Sequence, residues 1–346
     1  MKRELNEVEL MNKEDFYANL DSLALSASAI KLLLDSPKTY YEHYVLGNKE
    51  IKKGKHFDEG SLVHCMVLEP DELKNNFVNM GIATPPDSIK GCIDHLLSLE
   101  RDASELQEYA EEIVAYLKEI NLYQSLVDDK KPNKDGLVFT GDEKRINKVI
   151  NENSIEYFKI MVESRDKTIV DGASWDKCLE KANAILENPK ALSLLRTQND
   201  NQEIAFELEL KKKVPGFTYK LKGVLDAIKI DHELKKIYVS DVKTTGGLLK
   251  DFKASAEKFN YWLQEAIYKV LSETLLDSPS LKEYTVSFNF IVVDRANDVY
   301  CFTVTPETSE MWAEELKKLI NREVAYHIQE KDFTLPFEFA NNLVSL

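Results

Sequence analysis

Cysteine is scarce in this chain. Four occur among 346 residues, Cys65, Cys92, Cys178 and Cys301, and no two form a Cys-x-x-Cys pair. That spacing argues against a zinc ribbon or a cysteine-held iron–sulfur cluster, and for reduced thiols in a cytoplasm. Long apolar runs are missing too. No stretch of about 18 apolar residues occurs, so no membrane-spanning helix is expected. The opening MKRELNEVELMNKEDF lacks the apolar core of a secretory signal. No Gly-x-x-x-x-Gly-Lys-Ser/Thr loop is present, which argues against a nucleotide-driven motor. Internal repeats and low-complexity tracts are absent. Positive charge is in deficit: 45 Lys and Arg face 60 Asp and Glu, a net charge of −15. Taken alone, this disfavours any partner held by general positive charge.

What remains is an ordinary globular composition, 43% apolar and 30% charged. The length suits one large domain or two small ones. Residues 1–22 are polar and acidic and read as a loose lead-in. SASAIKLLLDSPKTYYEHY, from Ser26 to Tyr44, reads as a helix opened by a serine cap, with Pro37 starting a second turn. GSLVHCMVL, from Gly60 to Leu68, reads as an apolar helix. Residues 77–100 contain TPPD and two glycines and are expected to form a loop. Leu106, Tyr109, Ala110, Ile113, Val114, Leu117 and Ile120 recur at the helical period, predicting a helix over 102–126. Two further helices are expected over 140–164 and 174–196.

The pattern changes near residue 203. Ile204, Phe206, Leu208 and Leu210 alternate with Ala205, Glu207 and Glu209, the signature of a half-buried strand. Strands are also expected over 217–230, 236–243, 284–294 and 298–305, with helices near 255–273 and 306–330. The predicted order is β-β-β-α-β-β-α behind a largely helical front half, an α/β (α+β) protein. Two runs stand out against the acidic total: KEIKKGK at 49–55 and KKKVPGFTYKLK at 211–222.

The residues that suggest chemistry are Asp226, Asp241 and Lys243. Side chains alternate along a strand, so Asp241 and Lys243 share a face. A turn centred between Glu233 and Leu234 would set position 226 opposite 241, with Cβ atoms about 4.5–5.5 Å apart. Two carboxylates that close repel unless a cation lies between them. Oxygen ligands of this kind suit Mg²⁺ or Mn²⁺. A bare Asp-x-Lys is most often a solvent-facing ion pair. Here Asp241 shares parity with Ile237 and Val239, so an acid falls on an apolar face, where an unpartnered charge would be very costly. His64 sits in an apolar helix, where a histidine is most often a satisfied core residue; facing the aspartates it would be a metal ligand. Gln264 and Tyr268 are four apart and share a helical face. That face is most simply the polar side of a packed amphipathic helix.

In order along the chain, LSASAIKLLLDSPKTYYEHY, GSLVHCMVLEPDEL, ILENPKALSLL, NQEIAFELEL, LKGVLDAI, VSDVKTT and QEAIYKVL resemble the PD-(D/E)XK nuclease superfamily. Within it they resemble the RecE-type exodeoxyribonuclease VIII branch, related to the RecB nuclease domain and lambda exonuclease. The resemblance implies a restriction-endonuclease-like core, a central mixed sheet flanked by helices. It implies a single nuclease domain over 23–346, with a helical insertion at about 77–200 and the catalytic sheet at about 201–310. It implies that His64, Asp226, Asp241 and the Val242 carbonyl hold Mg²⁺, with Mn²⁺ a substitute, and that Lys243 positions the attacking water. Gln264 and Tyr268 match a motif on the helix behind the site, and Glu203 matches a strand glutamate near it. Leu225 stands where the name-giving proline would precede Asp226, and Asp241 is the shorter of the two acids the motif permits.

The implied activity is Mg²⁺-dependent hydrolysis of linear double-stranded DNA, 5′ to 3′, in phage-type recombination or repair. A cytoplasmic, bacterial or phage-encoded protein is implied, with a single-strand annealing protein as partner and a homo-oligomeric ring as assembly. Lys211, Lys212, Lys213, Lys220 and Lys222, with Lys52, Lys53 and Lys55, are expected to line the DNA groove. Two other readings stay open: an endonuclease or CRISPR-associated nuclease of the same superfamily, and a catalytically silent DNA-binding or protein-interaction module of the same fold.

Overall fold

The computed structural model describes residues 23–48, 55–101 and 105–344, the side chains of 55–57 excepted. The expected lead-in over 1–22, Lys52 and Lys53, and the side chain of Lys55 lie outside the described residues. The chain opens with β1 (Ala24–Leu25), α1 (Ala27–Asp35) and α2 (Lys55–Leu68). Next come β2 (Phe77–Met80), α3 (Asp87–Ser98), α4 (Ala110–Glu119), α5 (Gly141–Val149), α6 (Glu152–Glu163) and β3 (Thr168–Asp171). Then follow α7 (Gly172–Glu187), α8 (Pro189–Leu195), β4 (Gln202–Lys212), β5 (Lys220–Asp231) and β6 (Lys236–Thr244). The last stretch holds α9 (Phe252–Lys258), α10 (Tyr261–Glu273), β7 (Thr285–Val293), β8 (Val299–Thr303) and α11 (Pro306–Leu319).

The order from β4 onward is the expected one, but helices break at asparagines where a new helix starts. Asn151 caps α6 through Ser154, so 140–164 is two helices. Asn188, followed by Pro189 at the first helical position, divides 172–195. Asn260, in left-handed geometry, separates α9 from α10. Of the helix expected over 102–126, residues 102–104 lie outside the described residues, and the regular part is a 3-10 turn at Leu106–Tyr109 running into α4. The loop expected over 77–100 is instead a strand and a helix. Pro85 and Pro86 end one segment, and Pro86 opens α3 with Asp87 in its first turn, the sign that favours a helix N-terminus.

The chain forms two compact units, one from the segments up to Pro70 and from Leu179 on, the other Asp71–Cys178. In the second, β2 and β3 pair in parallel, Phe77 beside Thr168 through Met80 beside Asp171. Its core joins Ile89, Ile93 and Leu96 of α3 to Ile113 and Leu117 of α4 and Phe158 of α6.

The first unit is built on a six-stranded mixed sheet, β1-β5-β6-β7-β8, with β4 on the other edge of β5. Alternate residues Ile237 and Val239 of β6, and Phe288, Phe290 and Val292 of β7, meet Leu263, Ala266, Ile267 and Leu271 of α10 in one core. Each of the large side chains among them contributes roughly 1.5–3 kcal/mol by leaving water. One feature of β5 breaks the period of two. Leu225 and Ile228 are three apart, yet both enter this core. The β4–β5 register is unshifted on either side, Phe206 beside Ala227 and Leu208 beside Leu225. The strands therefore turn over between these pairs without inserting a residue. Glu207 lies there with φ +49°.

Glu265 on α10 is fully buried. The Ser309 hydroxyl of α11 donates to its Oε1, and Oε2 has no hydrogen-bond partner among the described residues. Burial pushes the Glu265 carboxyl from 4.5 up to about 7. Since the folded value lies above the unfolded one, its contribution to stability is complete below about pH 4.5 and is lost as pH rises through about 7. Glu265→Gln is expected to raise stability at pH 8 by about 2–3 kcal/mol and to change it little at pH 4.5. Urea midpoints of both proteins at the two pH values check this.

Candidate active site where two strands part

The β5–β6 ladder runs from Asp231 beside Lys236 to Ala227 beside Ser240 and stops. The next pair would be Asp226 and Asp241, the pair expected from the turn centre. Beyond it β6 stays with β7, in register through Thr244 beside Val293. On β5, the edge that faced β6 is next used at Lys220 and Leu221, by β1. The two strands thus separate at the aspartates. Where the ladder would have continued, the Val242 N–H donates to Asp226 Oδ2 at 2.8 Å. Val242 was expected to offer its carbonyl to a metal; the contact seen is through its N–H.

Asp241 is fully buried on the face it shares with Ile237 and Val239. Lys243 Nζ lies 2.6 Å from its Oδ2, and Gln264 Nε2 donates to its Oδ1 at 2.6 Å. Gln264 also donates to the Tyr268 hydroxyl at 3.1 Å, one turn along α10. Tyr268 reaches this place because residue 223 is glycine: a Cβ there would stand 2.8 Å from the ring Cε1. The sequence thus brings Asp241, Lys243, Gln264 and Tyr268 into one connected network.

His64 arrives from α2, 162 residues before Asp226. Its Nε2 is 2.7 Å from Asp226 Oδ2 and its Nδ1 is 3.2 Å from Glu207 Oε1. Gly60, one turn earlier, lies where α2 passes the end of β6; a Cβ there would be 3.5 Å from Thr244 Oγ1. Ligand atoms of His64, Glu207 and Asp226 all fall within 4.8 Å of one another. Asp241 is outside that set, held by Lys243 and Gln264.

Glu207, not Glu203, is the strand glutamate at the site. Glu203 pairs with Ile230 near the other end of the hairpin, where it meets His232 Nε2 at 2.9 Å. Its side chain is 72% exposed. A signal for Glu207 was available. The Pro215-Gly216 turn centres the β4–β5 hairpin between Gly216 and Phe217, and position 226 reflected through that centre is 207. Glu207 also carries a left-handed backbone, which for a non-glycine residue costs about 1–3 kcal/mol and concentrates at functional sites.

The basic residues expected in a groove are dispersed. Lys211 and Lys222 face each other across β4 and β5, and Lys212 faces Leu221. Lys213 Nζ donates to the carbonyls of Phe217 at 2.8 Å and of Thr218, inside the turn. Lys220 stands beside Ala24.

Electrostatics tie the centre together. Burial is the largest single influence on His64 and lowers its pKa. The Asp226 charge and hydrogen bond, with those of Glu207, outweigh it and lift the ring to about 10. The imidazole therefore carries both protons and bridges two carboxylates. Burial raises Asp241 above the usual carboxylate range, against the pull of Lys243. Burial also works against the Lys243 ammonium, but Asp241 and Asp226 together hold its pKa above the ordinary value. A doubly protonated imidazole among carboxylates fills the role of a cation. Two carboxylates and one imidazole at this spacing are a donor set that a divalent cation accepts in exchange for a proton.

A family model described as the PD-(D/E)XK nuclease superfamily matches residues 142–335. That span includes Glu207, Asp226, Asp241, Lys243, Gln264 and Tyr268, and not His64. Among solved structures, a candidate exonuclease from Eubacterium rectale is 11% identical, covering 96% of this chain and 88% of its own, at a TM-score of 0.48. The structure of SSO0001 is 17% identical, covering 70% of this chain and 92% of its own, at a TM-score of 0.23. Scores below 0.5 do not establish a common fold. No curated protein matches the chain.

Glu207→Gln is expected to weaken Mn²⁺ binding by at least about 10-fold, since even the partners that only orient a metal's ligands cost about 10–100-fold when removed. Glu203→Gln is expected to leave it unchanged. Calorimetric Mn²⁺ titration of the three proteins distinguishes the two glutamates.

Proposed function

The chain belongs to the PD-(D/E)XK nuclease superfamily, and from that premise we propose that it is a metal-dependent DNA exonuclease. The observation carrying this reading is the convergence of Asp226, Asp241 and Lys243 where β5 and β6 part. Phosphodiester hydrolysis needs a water nucleophile and neutralisation of charge growing on the phosphate. No serine or cysteine nucleophile is required.

His64, Glu207 and Asp226 would hold the divalent ion, with Asp241 adjoining. Bound there, Mg²⁺ or Mn²⁺ supplies Lewis acidity and lowers the pKa of a coordinated water. The chain's own residues do the rest. Lys243 presents an ammonium whose position is set by Asp241, and it stabilises negative charge on the phosphate oxygens. Gln264 fixes the Asp241 carboxylate, and Tyr268 fixes Gln264, so both are positioning residues. Mg²⁺ as the working ion, linear duplex DNA as substrate and 5′-to-3′ polarity all belong to this reading. So do a role in phage-type recombination or repair, an annealing-protein partner and a ring assembly. The resemblance of the ordered motifs to RecE-type exonucleases supports them.

Purified protein with Mg²⁺ is expected to degrade linear duplex DNA, to spare a closed circle, and to stop in EDTA. Lys243→Ala is expected to lower kcat by about 10²–10³-fold, and Asp241→Ala by at least as much. Strand-specific end labels read the polarity. Cutting of the circle would make the enzyme an endonuclease. Linear DNA left intact by wild type and variants alike would end the nuclease reading.

A further inference from the structure

A column of aromatic rings rises from the site to the surface. Its base is Phe290, buried and directly beside Asp241 in the β6–β7 register. Tyr261, the first residue of α10, packs on Phe290 with centroids 5.8 Å apart. Phe259 stacks on Tyr261 at 6.0 Å and 26° and is 49% exposed. Asn260 between them has φ +50°, a left-handed turn that asparagine tolerates better than most residues. The break between α9 and α10 thus sets the two rings in an offset stack.

Positive charge surrounds the column. Lys243 Nζ lies 5.3 Å from the Tyr261 ring centre and Lys31 Nζ 5.7 Å. Lys258 Nζ stands 5.5 Å from the Phe259 ring centre. Lys31 also donates to the Phe259 carbonyl, tying α1 to the helix break. A single exposed phenylalanine is ordinary on a protein surface. An exposed ring stacked on a second one, with lysines at both and the ammonium of the site at the inner one, is the composition of a surface that takes a base on its face and the backbone on its cations.

We propose that Phe259, backed by Tyr261, is a stacking platform for a nucleobase of the strand whose phosphate enters the site. The proposal rests on the nuclease reading and narrows its substrate. A base inside a duplex has both faces covered by its neighbours, and extruding it costs a few kcal/mol. A base at a strand end, or in a single strand, offers a face at little cost. The platform therefore selects DNA ends and unpaired termini over continuous duplex, without preference for sequence, because every base has a π-face. Phe259 acts by positioning the strand, whereas Lys243 meets the reacting phosphate.

The test couples removal of the ring to removal of the base. Hairpin duplexes with one free end are bound in Ca²⁺, to read affinity without turnover. An abasic nucleotide is placed in turn at the first three positions of each terminal strand. At one position the abasic substitution should weaken wild-type binding about tenfold and leave Phe259→Ala binding unchanged, while Phe259→Trp restores the dependence on the base. Thermal melts confirm that the variants remain folded. The proposal is overturned if abasic substitution costs the same in wild type and Phe259→Ala at every position, or if Phe259→Ala binds all ends like wild type. Failure of the nuclease reading looks different: wild type itself would neither bind nor cut DNA.

Discussion

The site exists because β6 leaves β5 one residue too soon. A buried N–H without a partner costs about 1–3 kcal/mol, and the parting of the strands exposes the N–H of Val242. Asp226 takes it, at 2.8 Å, and so a carboxylate is held at the fork by the backbone it replaces. The rest follows by satisfaction of charge. Asp226 requires a cation and meets His64; His64 uses its second nitrogen on Glu207. Asp241 is buried outright and is satisfied by Lys243 and Gln264. In such a network, removing one member leaves a buried charge uncompensated, which is more damaging than never having had the pair.

The turnover of the β4–β5 pair at Glu207 and Asp226 belongs to the same event. A regular strand would send Leu225 and Ile228 to opposite faces. Here both reach one core, so burial of two large apolar side chains offsets the strain of a left-handed glutamate. Packing and site geometry share one backbone irregularity. Gly223 has the matching role on the helix side, because a Cβ there would press on the Tyr268 ring of α10.

The acidic total of the chain and an anionic substrate are compatible only if positive charge is placed locally. The lysines of the 211–222 run are spread over a hairpin, and Lys213 is bound to carbonyls of its own turn. Lys31, Lys243 and Lys258 instead surround the stacked rings of Phe259 and Tyr261. Counting charges along the chain would favour the first group; only their spatial grouping singles out the second.

What sequence determines here is what short-range symmetry determines. Reflection through the two turn centres brings Asp226 near Asp241 and Glu207 near Asp226, although neither is a paired ladder position. The first of these is readable in the chain; for the second, the motif match pointed to Glu203 instead. Alternation puts Asp241 and Lys243 on one face, and helical spacing unites Gln264 with Tyr268. The breaks at Asn151, Asn188 and Asn260, where new helices start, were overrun by an apolar pattern that continues through them. Tertiary structure alone decided where the ladder stops, that Glu207 turns left-handed, and that His64 crosses 162 residues to meet Asp226. It also decided that Phe259 stands exposed above Tyr261. Each of these is set by competition among distant surfaces for the same space and the same unpaired charge, and no local pattern in the chain encodes the outcome of that competition.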